Sequence, residues 1–240
     1  MGKVEWYRFR ISPFLWVLAA VSLLFNVAPM VLSGHLVSTA QVLEQTAKNI
    51  AQPLLLCMIY TVLTVTEDFE NGFVRCYLAS GKRWTAIVAA KLLHALLGAT
   101  ILLLLNVAVP VLSVGVVQGG CDWLATGRML AQMFPFWVSM TCVFFVIAIL
   151  AGRQSLGVVI AAAVVFVLTI LTNWLGTNPI LYRAAVQYSP IAQLEISGRR
   201  AAAALPLSGA YWTAAGIAAA TAGVMVVAVL CKKDPPGYPA

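Results

Sequence analysis

The stretch TVTEDFENGFVRCYLASGKRW, residues 64–84, gathers charge at one point of a chain that is otherwise strongly apolar. Six of its residues are charged, namely Glu67, Asp68, Glu70, Arg75, Lys82 and Arg83. Over all 240 residues, hydrophobic residues make up 62% and charged residues 10%, whereas an average soluble domain has about 45–50% and about 25%. A soluble fold cannot hide so much apolar surface, so the excess must face something other than water.

Charge-free runs surround this stretch on both sides. No Asp, Glu, Lys or Arg occurs in residues 11–43, 49–66, 92–121, 129–152, 154–182 or 201–231. Each run is about as long as the roughly 20 residues that a membrane-spanning helix needs. The sequence therefore predicts an all-α integral membrane protein, a single transmembrane domain over residues 1–240, with six transmembrane helices at about 14–33, 49–66, 86–117, 129–151, 156–175 and 209–231.

The net charge of +7 does not indicate a nucleic-acid-binding protein, because the cations lie at the ends of the apolar runs. Lys and Arg in such positions mark the cytoplasmic side of a membrane. With the N-terminus inside, the predicted inner segments hold 10 of the 15 Lys and Arg residues and the outer segments hold 5. This distribution predicts a multi-pass protein with both termini in the cytoplasm.

Three further segments have compositions that predict a location. Residues 1–12 mix aromatic with basic side chains, which predicts an N-terminal interfacial helix. Residues 176–208 are too charged to span and too apolar for an ordinary loop, which predicts hydrophobic helices lying in or re-entering the outer leaflet. The charges of that segment either gate release, bind anionic lipid or anchor it to headgroups: Arg183, Glu195, Arg199 and Arg200.

In the last span, glycine recurs every seven residues, at Gly209, Gly216 and Gly223. Small residues on one face let another helix approach closely. This face is therefore predicted to pack against a helix of the same chain or of a second subunit.

Residues 67–84 themselves predict an amphipathic helix on the cytoplasmic surface, between the second and third spans. Phe69, Phe73 and Tyr77 lie at i, i+4 and i+8, which is an apolar stripe at helical spacing. The acidic residues come at its N-terminal end and the cations at its C-terminal end, as the helix dipole favours. The alternative is a solvated loop whose charges only set the orientation of the chain, but that would not explain the aromatic stripe.

The run EDFENGFVRCYLASGKRW, with the following AAK, resembles the first cytoplasmic loop of permeases in the type-2 class of ABC exporters. In that family an acidic residue, a glycine, an apolar helix and a Ser/Gly or Ser/Pro turn with Arg precede a lysine. The matching positions here are Glu70, Gly72, Tyr77, Leu78, Ser80, Gly81, Arg83 and Lys91. The pattern is most similar to permeases of bacterial peptide-antibiotic, lantibiotic-immunity and multidrug exporters.

The resemblance implies a half-transporter in the bacterial cytoplasmic membrane, which pairs with an identical or related permease subunit. A separate cytoplasmic ATPase, which would hold ATP and Mg, would dock on the loop helix. The usual substrates of the family are amphipathic peptides, lipids, glycolipids or drugs. The implied coupling residues are Glu67, Asp68, Phe69, Glu70, Gly72, Phe73, Arg75, Tyr77, Leu78 and Arg83. The chain has no GxxxxGK[ST] motif of its own, so we expect a transport subunit without a cofactor rather than an enzyme.

Lys91 and His94, at i and i+3 near the inner end of the third span, allow two interpretations. Lys91 extends to lipid phosphate while His94 packs inside the bundle, or both line an inner vestibule or touch the coupling helix. A haem held by His35 and His94 of one chain is disfavoured, because the two histidines are predicted at different depths in the membrane, which leaves only a haem shared across a dimer. The five cysteines show neither a disulfide pattern nor a zinc-site spacing.

Two other membrane-protein classes fit the sequence less well. An intramembrane protease is disfavoured because neither HExxH nor GxSxG occurs. The stronger alternative is an ion-coupled secondary transporter, which usually needs a carboxylate within a span. All eight acidic residues are predicted outside the span centres, with Glu67 the deepest, so this alternative lacks its central residue.

Overall fold

A computed structural model describes residues 13–32, 38–118, 120–176, 178, 180 and 188–231. Within these residues the chain forms nine helices and no strand: α1 Pro13–Leu32, α2 Thr39–Lys48, α3 Ala51–Glu70, α4 Phe73–Ala79, α5 Trp84–Gln118, α6 Trp123–Ala151, α7 Gln154–Gly176, α8 Pro190–Ala202 and α9 Gly209–Leu230. The predicted all-α class is confirmed. The predicted interfacial helix at residues 1–12, together with His35 and Arg183, lies outside the described residues.

Four of the described helices, α5, α6, α7 and α9, are long and apolar enough to cross a membrane. A fifth span results if α2 and α3, which meet at a bend of 56°, are taken together. The first predicted span corresponds to α1, whose described apolar part, Pro13–Leu24, is shorter. The described residues thus support a membrane-embedded helical protein with four or five candidate spans, against six predicted.

Helix α6 occupies the centre of the bundle. The most apolar 18-residue stretch of α6 is 67% buried, whereas the corresponding stretches of α7 and α9 are only 17% and 22% buried. Trp137 of α6 donates its indole Nε1–H to the carbonyl of Ala99 in α5 at 2.8 Å. Tyr211 of α9 donates its hydroxyl to the carbonyl of Gln132 at 3.1 Å. Because buried polar groups need partners, these bonds fix how α5 and α9 sit on α6.

Helix α3 packs closely against α5 because a glycine leaves room for an aromatic ring. A Cβ atom built on Gly98 of α5 would lie 2.1 Å from the ring of Tyr60, whose side chain is fully buried. The absence of a side chain at residue 98 therefore sets the distance between these two helices.

Several predicted boundaries were wrong. The predicted outer loop before the second span contains helix α2, which starts with a capping box formed by Ser38 and Gln41. The second span continues to Glu70 instead of ending at residue 66. The predicted coupling helix at 67–84 is not one helix, because Asn71 and Gly72 interrupt it, and Gly72 adopts a left-handed φ of 71°. Only residues 73–79 form a separate helix.

The last part of the chain differs in detail from the prediction. Within residues 176–208, α8 buries one face between α6 and α2, with a Cβ on Gly198 falling 2.7 Å from Cβ of Ala47. In α9, a Cβ added to Gly209, Gly216 or Gly223 would meet nothing within 4 Å. The glycine face of α9 therefore points away from the described part of its own chain.

A pair of Gly→Ala substitutions tests this packing. Gly98→Ala should lower the free energy of unfolding by about 1–3 kcal/mol, because the new methyl group displaces the buried ring of Tyr60. Gly216→Ala, also within a helix but with open space around it, should leave stability unchanged or raise it by about 0.5–1 kcal/mol. Thermal unfolding of the purified protein in detergent measures both changes. Equal stability of the two variants would contradict the close approach of α3 to α5.

Candidate functional site at the charged loop

The charged loop, defined as residues 67–84, begins inside the last turn of α3. Three consecutive residues there, Asp68, Phe69 and Glu70, direct their side chains to different places: Asp68 and Phe69 contact different residues of α5, and Glu70 contacts α7. This divergence follows from helix geometry, since successive residues point about 100° apart. The loop is therefore attached to the bundle at several points.

Asp68 forms a buried ion pair with Lys91 of α5. The Lys91 Nζ lies 2.7 Å from Asp68 Oδ2, and the two residues are only 5% and 1% exposed. The sequence includes Asp68 among the predicted coupling residues and leaves three positions open for Lys91: at lipid phosphate, lining an inner vestibule, or touching the predicted coupling helix. The ion pair sets Lys91 against Asp68 of that segment, and the two charges lie between helices because each can be buried only by pairing with the other.

His94 lies one turn beyond Lys91 and is buried as well. Its ring centroid is 6.3 Å from that of Tyr60 in α3. Lys91 and His94 thus face α3 together, which is consistent with the expectation that they share one face of the third span. In this turn Glu67 and Glu70 are exposed, and Asp68 is buried within the protein. The prediction that Glu67 is the carboxylate deepest in the membrane stays a prediction.

Phe69 connects the loop to Trp84, the first residue of α5. Their ring centroids are 6.1 Å apart in an edge-to-face arrangement, a favourable geometry for aromatic pairs. Trp84 in turn donates its indole N–H to the carbonyl of Val229, near the end of α9, at 3.2 Å. One aromatic pair therefore joins the ends of α3, α5 and α9.

Glu70 caps a helix that is distant in sequence. Its Oε1 accepts a hydrogen bond of 2.7 Å from the backbone N–H of Gln154, the first residue of α7. The first backbone N–H groups of a helix have no partner inside it, and a carboxylate there also interacts favourably with the helix dipole. The α7 start depends on Glu70 because the two residues before it, Gly152 and Arg153, include no side chain that can accept such a bond.

Sequence reasoning missed Gln154 and Val229 as partners of the loop, and also the contact between Phe69 and Trp84 at its two ends. One signal was available for Gln154, since the turn Gly152–Arg153 lacks Ser, Thr, Asp or Asn ahead of a long helix. A helix start without its own cap indicates that an acceptor comes from another segment. No comparable sequence signal points to Val229, whose backbone carbonyl is the acceptor.

Helix α4, residues 73–79, is the least embedded part of the loop. Only Val74 is buried, and Tyr77 and Leu78 are half-buried. Phe73 is 41% exposed, and Arg75, Cys76 and Arg83 are exposed. Left-handed glycines flank the helix, with φ of 71° at Gly72 and 78° at Gly81, a conformation that disfavours other residues. The helix is therefore held apart from α3 and presents aromatic and basic side chains.

The predicted coupling residues fall into two groups in space. Glu67, Asp68, Phe69 and Glu70 belong to the last turn of α3, and Phe73, Arg75, Tyr77 and Leu78 belong to α4. Gly72 separates the groups, and Arg83 lies just before α5. The first group contacts α5 and α7 and is joined to α4 by only a short length of backbone. A displacement of α4 is therefore transmitted to those helices.

Removing one partner of the ion pair should be far more harmful than removing both. Asp68→Ala leaves Lys91 buried without its counter-charge, and we expect a loss of about 3–5 kcal/mol in the free energy of unfolding. The double substitution Asp68→Ala with Lys91→Met should recover most of that loss. The measurement is a double-mutant cycle by thermal unfolding in detergent, with Glu67→Ala as the control for an exposed acid of the same turn. A loss no greater than that of the control would show that the pair does not hold α3 to α5.

Comparison with known proteins adds no family to this geometry. No protein-family model matches the chain, and a search of curated proteins finds no significant similarity. The functional assignment therefore depends on the loop and its contacts.

Proposed function

We propose that this chain is the permease subunit of an ATP-driven ABC exporter in a bacterial cytoplasmic membrane. It moves amphipathic peptides, lipids or drugs outward, with a second permease subunit and a separate cytoplasmic ATPase. The ATPase binds ATP and Mg, and α4 is its docking helix. Both termini of the permease lie on the ATPase side.

The observation that supports this function is that the exposed helix α4 follows directly on a turn of α3 that other helices hold in place. Helix α4 offers Phe73, Arg75 and Cys76 on its exposed side, an amphipathic surface suited to a protein partner. The preceding turn of α3 contacts α5 through Asp68 and α7 through Glu70. A force applied to α4 by a closing ATPase therefore reaches two apolar helices through a buried ion pair and a helix cap.

A second permease subunit is consistent with how little of α7 and α9 is buried within the chain. The most apolar 18-residue stretches of these two helices are only 17% and 22% buried, so most of their surface is left for lipid or another subunit. The open face at Gly209, Gly216 and Gly223 has the small residues that close helix contacts use.

An ion-coupled secondary transporter of similar architecture is the second candidate. The specific observation in its favour is the burial of Asp68, which supplies the carboxylate that the sequence-based argument found lacking. A buried acid paired with a lysine resembles the ionisable sites that bind and release protons in such carriers. Its position in the last turn of α3, however, places it at the end of the helix rather than at its centre.

Co-purification separates the two candidates. The tagged chain is extracted from its native membrane in mild detergent, and the eluate is assayed for a stoichiometric P-loop subunit and for ATP hydrolysis. We expect the wild-type chain and Phe134→Ala to retain the ATPase, and Phe73→Ala to lose most of it. Phe134 is the matched control because it is a phenylalanine of similar exposure, 45% against 41%, in the first half of α6.

Two results of this experiment would contradict the proposal. A clean preparation without any nucleotide-hydrolysing partner would favour the ion-coupled carrier, and Asp68 would be the residue to titrate. Equal retention of the ATPase by both phenylalanine variants would exclude α4 as the docking helix.

Glu70 should affect transmission rather than docking. Glu70→Ala removes the cap of α7, so we expect the ATPase to remain bound while its stimulation by the permease falls about tenfold, equivalent to roughly 1.4 kcal/mol. Glu195→Ala, which removes a glutamate from α8, is the control and should retain stimulation. The readout is ATP hydrolysis by the reconstituted complex. Full stimulation in Glu70→Ala would show that the cap is only structural.

A further inference from the structure

A cleft of about 450 Å³ lies between α2 and the C-terminal end of α8; we call it the distal cleft. Helix α3 starts beside α2 and ends at the charged loop, so its 20 residues separate the two sites by about 30 Å. The volume falls within the range of roughly 300–1,000 Å³ that is usual for small-molecule sites. The distal cleft is therefore large enough for a ligand and remote from the proposed ATPase contact.

The walls of the distal cleft are amphipathic. Ala40, Ala202 and Leu205 form an apolar part, and Glu44, Arg199 and Arg200 contribute charge. Leu205 is one of the exposed large hydrophobic residues. Such a combination suits a ligand with a charged head and an apolar chain.

The charges of the cleft do not cancel. Glu44 pairs with Lys48 at 2.8 Å, and Glu195 pairs with Arg199, each pair lying within its own helix. Within the described ranges, no carboxylate pairs with Arg200. One positive charge thus remains at the cleft, on the Arg200 guanidinium.

Two nitrogens of Arg200 differ in how they are satisfied. The Nη2 donates to the carbonyl of Pro206 at 3.1 Å, which by itself is an ordinary contact at a helix end. The Nε is buried and makes no hydrogen bond with any residue that the structure describes. Leaving a buried charged donor unpaired is unfavourable, and the planar guanidinium fork matches a phosphate group. Because Nε is covered by protein, it reaches an anion in the cleft only if the side chain turns, and such a turn would give this donor the hydrogen bond that it lacks.

The turn after α8 holds Arg200 and Leu205 together. The N–H of Leu205 donates to the carbonyl of Arg200 at 2.9 Å, and the N–H of Ala204 donates to that of Ala201 at 3.1 Å. This is the Schellman arrangement, which needs a left-handed residue, and Ala204 supplies it with φ of 54°. A non-glycine residue in this conformation is strained by about 1 kcal/mol, so the turn is maintained at a cost while it places an apolar and a cationic side chain on the same cleft.

We propose that the distal cleft binds a phospholipid, with the lipid phosphate on Arg200 and an acyl chain along Leu205 and Ala202. The remaining positive charge makes an anionic headgroup the preferred one, because a choline cation would face the uncompensated charge at close range. Lipid binding at this cleft does not depend on the ATPase. It gives this end of the bundle a role that the proposed transport cycle does not supply.

The test uses the purified full-length chain after extensive detergent exchange and measures lipid binding by native mass spectrometry. Dioleoylphosphatidylglycerol and dioleoylphosphatidylcholine are compared at equal concentration, with inorganic phosphate as the headgroup-only probe. We expect phosphatidylglycerol to bind better than phosphatidylcholine, and Arg200→Gln to weaken that binding about tenfold or more. Arg153→Gln is the control, because it removes one exposed arginine at the turn before α7 and should change binding less than about twofold.

Two further variants distinguish recognition of the lipid headgroup from recognition of the acyl chain. Arg200→Lys keeps the charge but loses the fork, so it should bind with intermediate affinity, and it replaces Arg200→Gln if that variant does not fold. Leu205→Ser should weaken lipid binding with the headgroup contact intact. Unchanged binding in the Arg200 variants, or an equal loss in Arg153→Gln, would overturn the site. Displacement of lipid by millimolar inorganic phosphate, with no effect of Leu205→Ser, would show a free-anion site and overturn the lipid assignment.

Discussion

The ion pair between Asp68 and Lys91 is the constraint on which the arrangement at one end of the bundle depends. Both side chains are buried between apolar helices and lie 2.7 Å apart, where neither charge is tolerable without the other. The pair therefore fixes the rotation and the height of α3 against α5. Once Asp68 faces Lys91, helix geometry directs the next two side chains elsewhere, Phe69 to Trp84 at the start of α5 and Glu70 to the start of α7.

This arrangement divides the charged loop into a rigid and an exposed part. The last turn of α3 is attached to α5, α7 and, through Trp84, α9. Beyond the left-handed Gly72, α4 is buried only at Val74. A partner that binds α4 would move a short helix that is attached to the last turn of α3, and that turn contacts most of the bundle. This is the mechanical reason for proposing an energy-coupling role. The distal cleft lies at the other end of α3, where the two arginines of α8 meet α2.

The sequence-based prediction was correct where the length of an apolar run alone decides the structure. It was wrong where apolar periodicity and the backbone conformation of a glycine favour different structures. Apolar run length predicted helices near residues 86–117, 129–151, 156–175 and 209–231, and α5, α6, α7 and α9 occupy those positions. The continuous helix at 67–84 was wrong because the spacing of Phe69, Phe73 and Tyr77 passes unchanged across the break at Gly72. Apolar periodicity reports which residues share a face but not whether the backbone between them stays helical.

The sequence by itself determined the all-helical, membrane-embedded class, because the hydrophobic effect acts on composition and run length without regard to partners. It also located the unusual loop, since a cluster of charges in an apolar chain is visible in one dimension. Only the tertiary structure decided which of those charges are buried and what they bind. Asp68 meets Lys91 across 23 positions, and Glu70 meets Gln154 across 84. Such pairings depend on how helices are rotated against one another, and that rotation is a property of the packed bundle rather than of any local segment.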